Sequence, residues 1–93
     1  MNNNIVLNKK QLSFLLGNIV DYTIQKEIKR TVKKMPNNGE RWFIQLSDDN
    51  KFNLSQILAD LLADIGMKND SELNSTGYLI EDLIDILNPY KDL

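Results

Sequence analysis

The chain has 93 residues, of which 42% are hydrophobic and 26% charged, a composition typical of one small globular domain. It contains no histidine and no cysteine, which removes the commonest acid–base side chain, the thiolate nucleophile and the usual transition-metal ligands. We therefore expect a protein that is not an enzyme, uses no cofactor or metal ion, and acts by binding another macromolecule. No apolar stretch approaches the ~20 residues that span a bilayer, so we expect no membrane contact and a cytoplasmic location.

The net charge of −2 conceals an unequal distribution along the chain. Residues 1–45 carry eight basic and three acidic side chains, a net charge of +5, whereas residues 46–93 carry three basic and ten acidic ones, a net charge of −7. A basic half favours a polyanionic partner. An ordinary solvated surface is the alternative explanation.

The first predicted elements are a short apolar segment and a short helix. Residues 5–7 are either a small edge strand or a segment that tucks onto the core. Asn8 is a suitable N-cap for a helix over residues 9–16, and Gly17 stands where a helix C-cap is expected. A single helix that continues through Gly17 is the alternative, although glycine disfavours it.

A second helix is predicted by isoleucine and valine repeating every four residues. Ile24, Ile28 and Val32 form its apolar stripe, and Asp21 or Thr23 is expected to cap its start. The opposite face is rich in lysine and arginine. This helix is the most basic element of the chain.

A turn and a strand follow the basic helix. Residues 36–39 have the Pro, Asn and Gly composition of a turn, and residues 41–46 form an aromatic and β-branched run typical of a strand. Residues 47–50 are expected to form another turn, after which residues 51–52 add a short returning strand. The result is a small β-hairpin.

The second half of the sequence predicts two more helices. The third is capped by Asn53 or Ser55 and ends at Gly66, and residues 67–74 are expected to form a polar linker. The fourth helix, over residues 75–88, is apolar around more than half of its circumference. That surface either completes the core or forms a homodimer interface. The whole chain, residues 1–93, is expected to be a single domain.

Three segments, in this order, resemble the excisionase and MerR-like class of winged helix-turn-helix proteins. Residues 10–17 end a short helix in Leu-Leu-Gly and place the small Ser13 at the helix contact. The basic helix follows at residues 24–30, and residues 38–44 contain the wing-like pattern Gly-x-Arg-Trp-x-Ile. The resemblance covers residues 7–62. It implies an α+β, mostly helical fold with a β-hairpin wing, to which the chain adds a C-terminal helical extension.

The resemblance implies a DNA-binding regulator or accessory protein of a phage, plasmid or other bacterial mobile element, acting in transcription regulation or excision. Its second helix would enter the major groove of double-stranded DNA. Gln25 suits adenine, whereas Lys26 or Arg30 suits guanine, and Arg41 lies on the wing. The residues expected to contact DNA are Thr23, Gln25, Lys26, Lys29, Arg30, Lys33, Lys34 and Arg41.

The acidic half supports a different hypothesis, an immunity-type or inhibitor protein that touches no nucleic acid. Its carboxylates would offer a negative surface to a basic protein partner. The acidic isoelectric point, near 4.9, favours this alternative. The residues expected to form that surface are Asp60, Asp64, Glu81, Asp82 and Asp85.

Overall fold

The computed structural model describes residues 4–36, 39–69 and 72–87, and these form an α+β, mostly helical fold, as predicted. The chain divides into two compact units, residues 1–51 (unit 1) and residues 52–93 (unit 2), whose boundary falls inside a helix. The single-domain organisation remains a prediction. No helix in the described part of the chain is long and apolar enough to cross a membrane.

Unit 1 combines two short helices with a three-stranded antiparallel sheet in which the last strand is central. The strand order is β1-β3-β2. In chain order its elements are β1 (Asn4–Asn8), α1 (Lys9–Asn18), α2 (Tyr22–Thr31), β2 (Lys33–Lys34) and β3 (Arg41–Gln45).

The core of unit 1 lies on one face of this sheet. Ile5 is paired with Ile44 across β1 and β3, and Leu7 lies on the same face because side chains alternate along a strand. Ile24 and Ile28 of α2 are fully buried, and α2 contacts β3. The predicted edge strand is confirmed, and it is attached to the core through Ile5 and Leu7, which are buried on one face while Val6 is exposed on the other.

Both predicted helix starts in unit 1 are confirmed. The Asn8 side chain accepts a hydrogen bond from the Gln11 backbone N–H, and the Gln11 side chain accepts one from that of Asn8, a reciprocal capping box. Asp21, not Thr23, caps α2 through the Ile24 N–H. The two helices are separate, as predicted, but α1 ends at Asn18 and includes Gly17.

The strand predicted after the turn is confirmed as β3, but its hairpin partner was predicted wrongly. Lys33–Lys34 pair with β3, whereas residues 51–52 lie in a helix. The Thr31 hydroxyl extends this pairing because it accepts a hydrogen bond from the Gln45 N–H. Of the predicted turn, Gly39 has φ 59°, a conformation that favours glycine, and residues 37–38 lie outside the described residues.

Helix α3 (Asp48–Ile65) begins five residues before the earlier of the two predicted caps, so the predicted turn at 47–50 is wrong. The Ser47 hydroxyl accepts a hydrogen bond from the Asn50 N–H and therefore acts as the N-cap. The acidic residues that follow suit the first turn of a helix, where the backbone dipole favours negative charge. Asn53 and Ser55 are not caps, because both lie inside α3.

Unit 2 contains the rest of α3, a two-stranded hairpin and a last helix. The hairpin is formed by β4 (Met67–Asn69) and β5 (Glu72–Leu73), so the predicted linker is partly ordered as strands. Helix α4 (Ser75–Leu87) confirms the fourth predicted helix, whose residue 88 lies outside the described residues. The fully or almost fully buried side chains of this unit are Leu54, Leu58, Ile80, Leu83 and Leu87.

Two glycines bring the start of α4 against the end of α3. A Cβ atom built on Gly77 would overlap the carbonyl oxygen of Gly66, so this position has no room for a larger residue. Asn74 connects the same elements, because its side chain donates to the Ile65 carbonyl and accepts from the Gly77 N–H. Unit 2 is therefore held at this end by close backbone packing.

Candidate nucleic-acid interface

Helix α2 presents a basic stripe to solvent. Its turn-by-turn spacing buries Ile24 and Ile28, which leaves the opposite side of the helix exposed. Four of the predicted DNA-contacting residues lie on that side and are exposed: Thr23, Lys26, Lys29 and Arg30. This set is called the α2 stripe below. Tyr22 is 76% exposed beside it, with the Lys26 ammonium 6.0 Å from its ring centre.

Glu27 is the one acidic side chain within α2, and it contacts both the start of α3 and one residue of the stripe, Arg30. The Glu27 carboxylate accepts hydrogen bonds from the Ser47 backbone N–H at 2.7 Å and from the Asn50 side-chain amide at 3.0 Å. Its other oxygen lies 3.4 Å from the guanidinium of Arg30, three residues further along the helix. Glu27 thus accepts hydrogen bonds from two donors at the start of α3, one from the backbone and one from a side-chain amide, and these stabilise its negative charge.

Apart from the Glu27–Arg30 pair, the described residues include no acidic partner of the α2 stripe. Across the described ranges, no carboxylate oxygen lies within 4.0 Å of the ammonium of Lys26 or Lys29. Asp48, which follows the sheet, makes its ion pair with Lys51 at 3.7 Å. The electrostatic field of these lysines is therefore available to a ligand.

Gln25 has a structural role that the sequence did not indicate. Its side-chain amide nitrogen donates to the Leu15 carbonyl at 2.7 Å and to the Ile19 carbonyl at 2.5 Å. These bonds satisfy backbone acceptors at the end of α1 and join it to α2. A bidentate contact with adenine needs the same nitrogen. The predicted base contact by Gln25 therefore has its donor already occupied.

The basic residues of the hairpin are divided between the two faces of the sheet. Lys34 is opposite Trp42, on the face that carries the core, and its ammonium lies 5.8 Å from the Trp42 ring centre. Lys33 is opposite Phe43 on the other face, and alternation places Arg41 on that same face. Only Lys34 therefore lies on the side of the sheet that α2 packs against.

The acidic residues of the alternative hypothesis all belong to unit 2. Asp60 and Asp64 are exposed on α3, Glu81 and Asp82 are exposed on α4, and Asp85 is half-buried. An open groove of about 520 Å³ is lined by Ala59, Leu62, Ala63, Met67 and Asn69, so that Asp60 and Asp64 each follow a lining alanine in the sequence. In the described part of the chain, no group of three or more acidic side chains is arranged to hold a metal ion.

Comparisons with known proteins found no match to the chain among protein-family models, curated proteins or solved structures.

Proposed function

We propose that the protein is a double-stranded DNA-binding regulator of the winged helix-turn-helix type, with α2 as its recognition helix. The order of elements supports this proposal. Two short consecutive helices are followed by a β-hairpin, which is the arrangement that the resemblance to excisionase and MerR-like proteins implies. The third strand of the sheet, β1, holds the hairpin from its other side.

The α2 stripe is the observation that carries the proposal. An α-helix fits the major groove, where a protruding lysine or arginine can donate to guanine. Lys26 and Arg30 lie one turn apart on the stripe and suit that role. Lys29 and Lys34 would neutralise phosphates, and Thr23 would donate its hydroxyl to a phosphate or contact a thymine methyl group.

Arg30 must leave Glu27 to reach DNA. Its side chain is 68% exposed, and its single contact with the carboxylate is 3.4 Å long. An exposed pair of this kind contributes roughly 0–1 kcal/mol, which a charge-assisted contact with phosphate or guanine can replace. Glu27 keeps its bonds to Ser47 and Asn50 when Arg30 moves.

The proposal is tested by fluorescence anisotropy with a labelled mixed-sequence duplex at about 50 mM salt. The double variant K26A/K29A should bind at least tenfold more weakly, because two phosphate or base contacts are lost. The matched control D60N/D64N changes two exposed charges in unit 2 and should not weaken binding. Equal affinity of K26A/K29A and the wild type would exclude α2 as the DNA-binding element.

The groove on α3 favours a second candidate function, the binding of a basic protein segment through unit 2. Its apolar floor and the adjacent Asp60 and Asp64 match an amphipathic helix with basic residues along one edge. In that case A63W, which fills the groove, would abolish capture of the partner in a pull-down and leave duplex binding unchanged. A partner retained by A63W would exclude the groove as its site.

A further inference from the structure

The face of the unit 1 sheet that is turned away from the core carries an ordered set of side chains. The strand register places Val6 of β1, Phe43 of β3 and Lys33 of β2 side by side across the sheet. Along β3 the same face continues from Phe43 to Arg41 in one direction and to Gln45 in the other. Val6, Lys33, Arg41, Phe43 and Gln45 are called the outer sheet face below.

This face is apolar at its centre and basic on two sides. Val6 is 45% exposed, and Phe43 is half-buried beside it. Lys33 and Arg41 are exposed, and neither makes an ion pair with a carboxylate in the described residues. At the other end, the Gln45 side-chain amide donates to the Asn4 side-chain oxygen at 3.0 Å. None of the residues that share this face in the three strands is acidic.

We propose that the outer sheet face binds a single strand of nucleic acid. An aromatic ring on an open sheet surface offers a surface on which an unpaired base can stack, a contact worth about 1–3 kcal/mol and tolerant of base identity. Lys33 is the direct cross-strand neighbour of Phe43, and Arg41 precedes Phe43 by two residues on β3. The two cations would therefore hold the phosphates on either side of the stacked base.

The geometry favours an unpaired strand over a duplex at this face. The bases of a duplex are stacked on each other and are presented as edges in a groove, so a flat aromatic surface cannot reach them. The α2 stripe lies on the opposite side of the sheet from Phe43, because α2 packs on the core face of β3. The two surfaces are therefore independent, and this inference does not depend on the proposed duplex binding.

Lys33 and Lys34 provide a matched pair of variants, since they are consecutive residues whose side chains leave opposite faces of one strand. The probe is a labelled oligothymidine of about 12 nucleotides, titrated at about 50 mM salt by fluorescence anisotropy. K33A should weaken its binding several-fold, whereas K34A should leave it within twofold of the wild type. F43L, which keeps the apolar volume and removes the ring, should weaken binding roughly tenfold.

The same variants are then measured with the duplex used above. F43L and K33A should bind it as the wild type does, and K26A/K29A should lose duplex binding but keep the oligothymidine. Equal losses for K33A and K34A, or unchanged oligothymidine binding by F43L when its circular dichroism spectrum is native, would overturn the proposal. No binding of the oligothymidine by the wild type would overturn it as well, whatever the result with the duplex.

Discussion

The two units of the molecule differ in sign of charge and in how their elements are joined. Unit 1 carries nine basic and five acidic residues, a net charge of +4, and unit 2 carries two basic and eight acidic residues, a net charge of −6. In unit 1 the distant elements are connected by polar side chains, of which Gln25, Glu27 and Thr31 are all on α2. In unit 2 the close approach of Gly66 and Gly77 and the bonds of Asn74 have that role.

This difference shows why α2 can be basic and remain well held. The hydrogen bonds that join α2 to its neighbours are made by the amide of Gln25, the carboxylate of Glu27 and the hydroxyl of Thr31. The lysines of the α2 stripe make none of these bonds. In a capping box, the backbone N–H of the N-cap residue donates to a side chain three residues further along the same helix. At the start of α3, the N–H of the N-cap Ser47 donates instead to Glu27, which lies on α2. The side chains that connect α2 to other elements and the side chains that give it positive charge are therefore different residues of the same helix.

The largest loss of stability is expected from a substitution at Gly77, where unit 2 has no room for a side chain. Gly77→Ala should lower the free energy of unfolding by roughly 3 kcal/mol, because the new methyl group meets the Gly66 carbonyl oxygen and the backbone must move. Gly17→Ala is the control, since a Cβ there meets nothing within 4 Å. It should stabilise the protein by up to about 1 kcal/mol, because alanine is the better helix former. Urea unfolding followed by circular dichroism measures both, and similar values would contradict the packing described.

A smaller effect is expected from the polar connection in unit 1. Glu27→Ala should cost about 2 kcal/mol, because the Ser47 N–H and the Asn50 amide lose a charged acceptor. Glu27→Gln should cost less, since one oxygen is kept. Arg30→Ala removes only the exposed pair and should cost under about 0.5 kcal/mol. If Arg30→Ala destabilised the protein as much as Glu27→Ala, the ion pair and not the helix start would be the main contribution.

The smallest change in stability is expected at Gln25, and a comparison with Lys26 distinguishes a structural residue from a DNA-binding one. Gln25→Ala should cost about 1 kcal/mol of stability through the loss of its two bonds to the end of α1, and should leave duplex affinity within twofold. Lys26→Ala, one residue further on, should do the reverse. A large loss of duplex affinity in Gln25→Ala, with stability unchanged, would return Gln25 to the set of base contacts.

The sequence was sufficient for the elements whose signals are local. Asn8 and Asp21 are caps by residue type, and the four-residue repeat of Ile24 and Ile28 defines the buried side of α2. The apolar segment 5–7 and the aromatic and β-branched run 41–46 predicted strands, but they did not predict that the two pair with each other. Pairing between residues so far apart in the sequence is a tertiary property that no local pattern contains.

The errors have physical reasons too. Residues 47–50 have the composition of a turn, yet Ser followed by two acids is also the pattern of a helix start, and the Glu27 acceptor favours the helix. Lys33–Lys34 form a strand because β3 offers a free edge, although two lysines give no strand signal of their own. Gln25 looked like a base-reading side chain because only the fold brings the Leu15 and Ile19 carbonyls to its amide.

The most direct test of the central claim, that α2 presents its lysines and arginine to duplex DNA, is the salt dependence of binding. The affinity of the wild type for a labelled mixed-sequence duplex should fall by about 100-fold between roughly 50 and 200 mM salt, as expected when about four phosphates are neutralised. A slope close to zero, or no binding at tens of micromolar protein at the lower salt, would contradict the claim. The function would then have to be sought in the acidic unit 2.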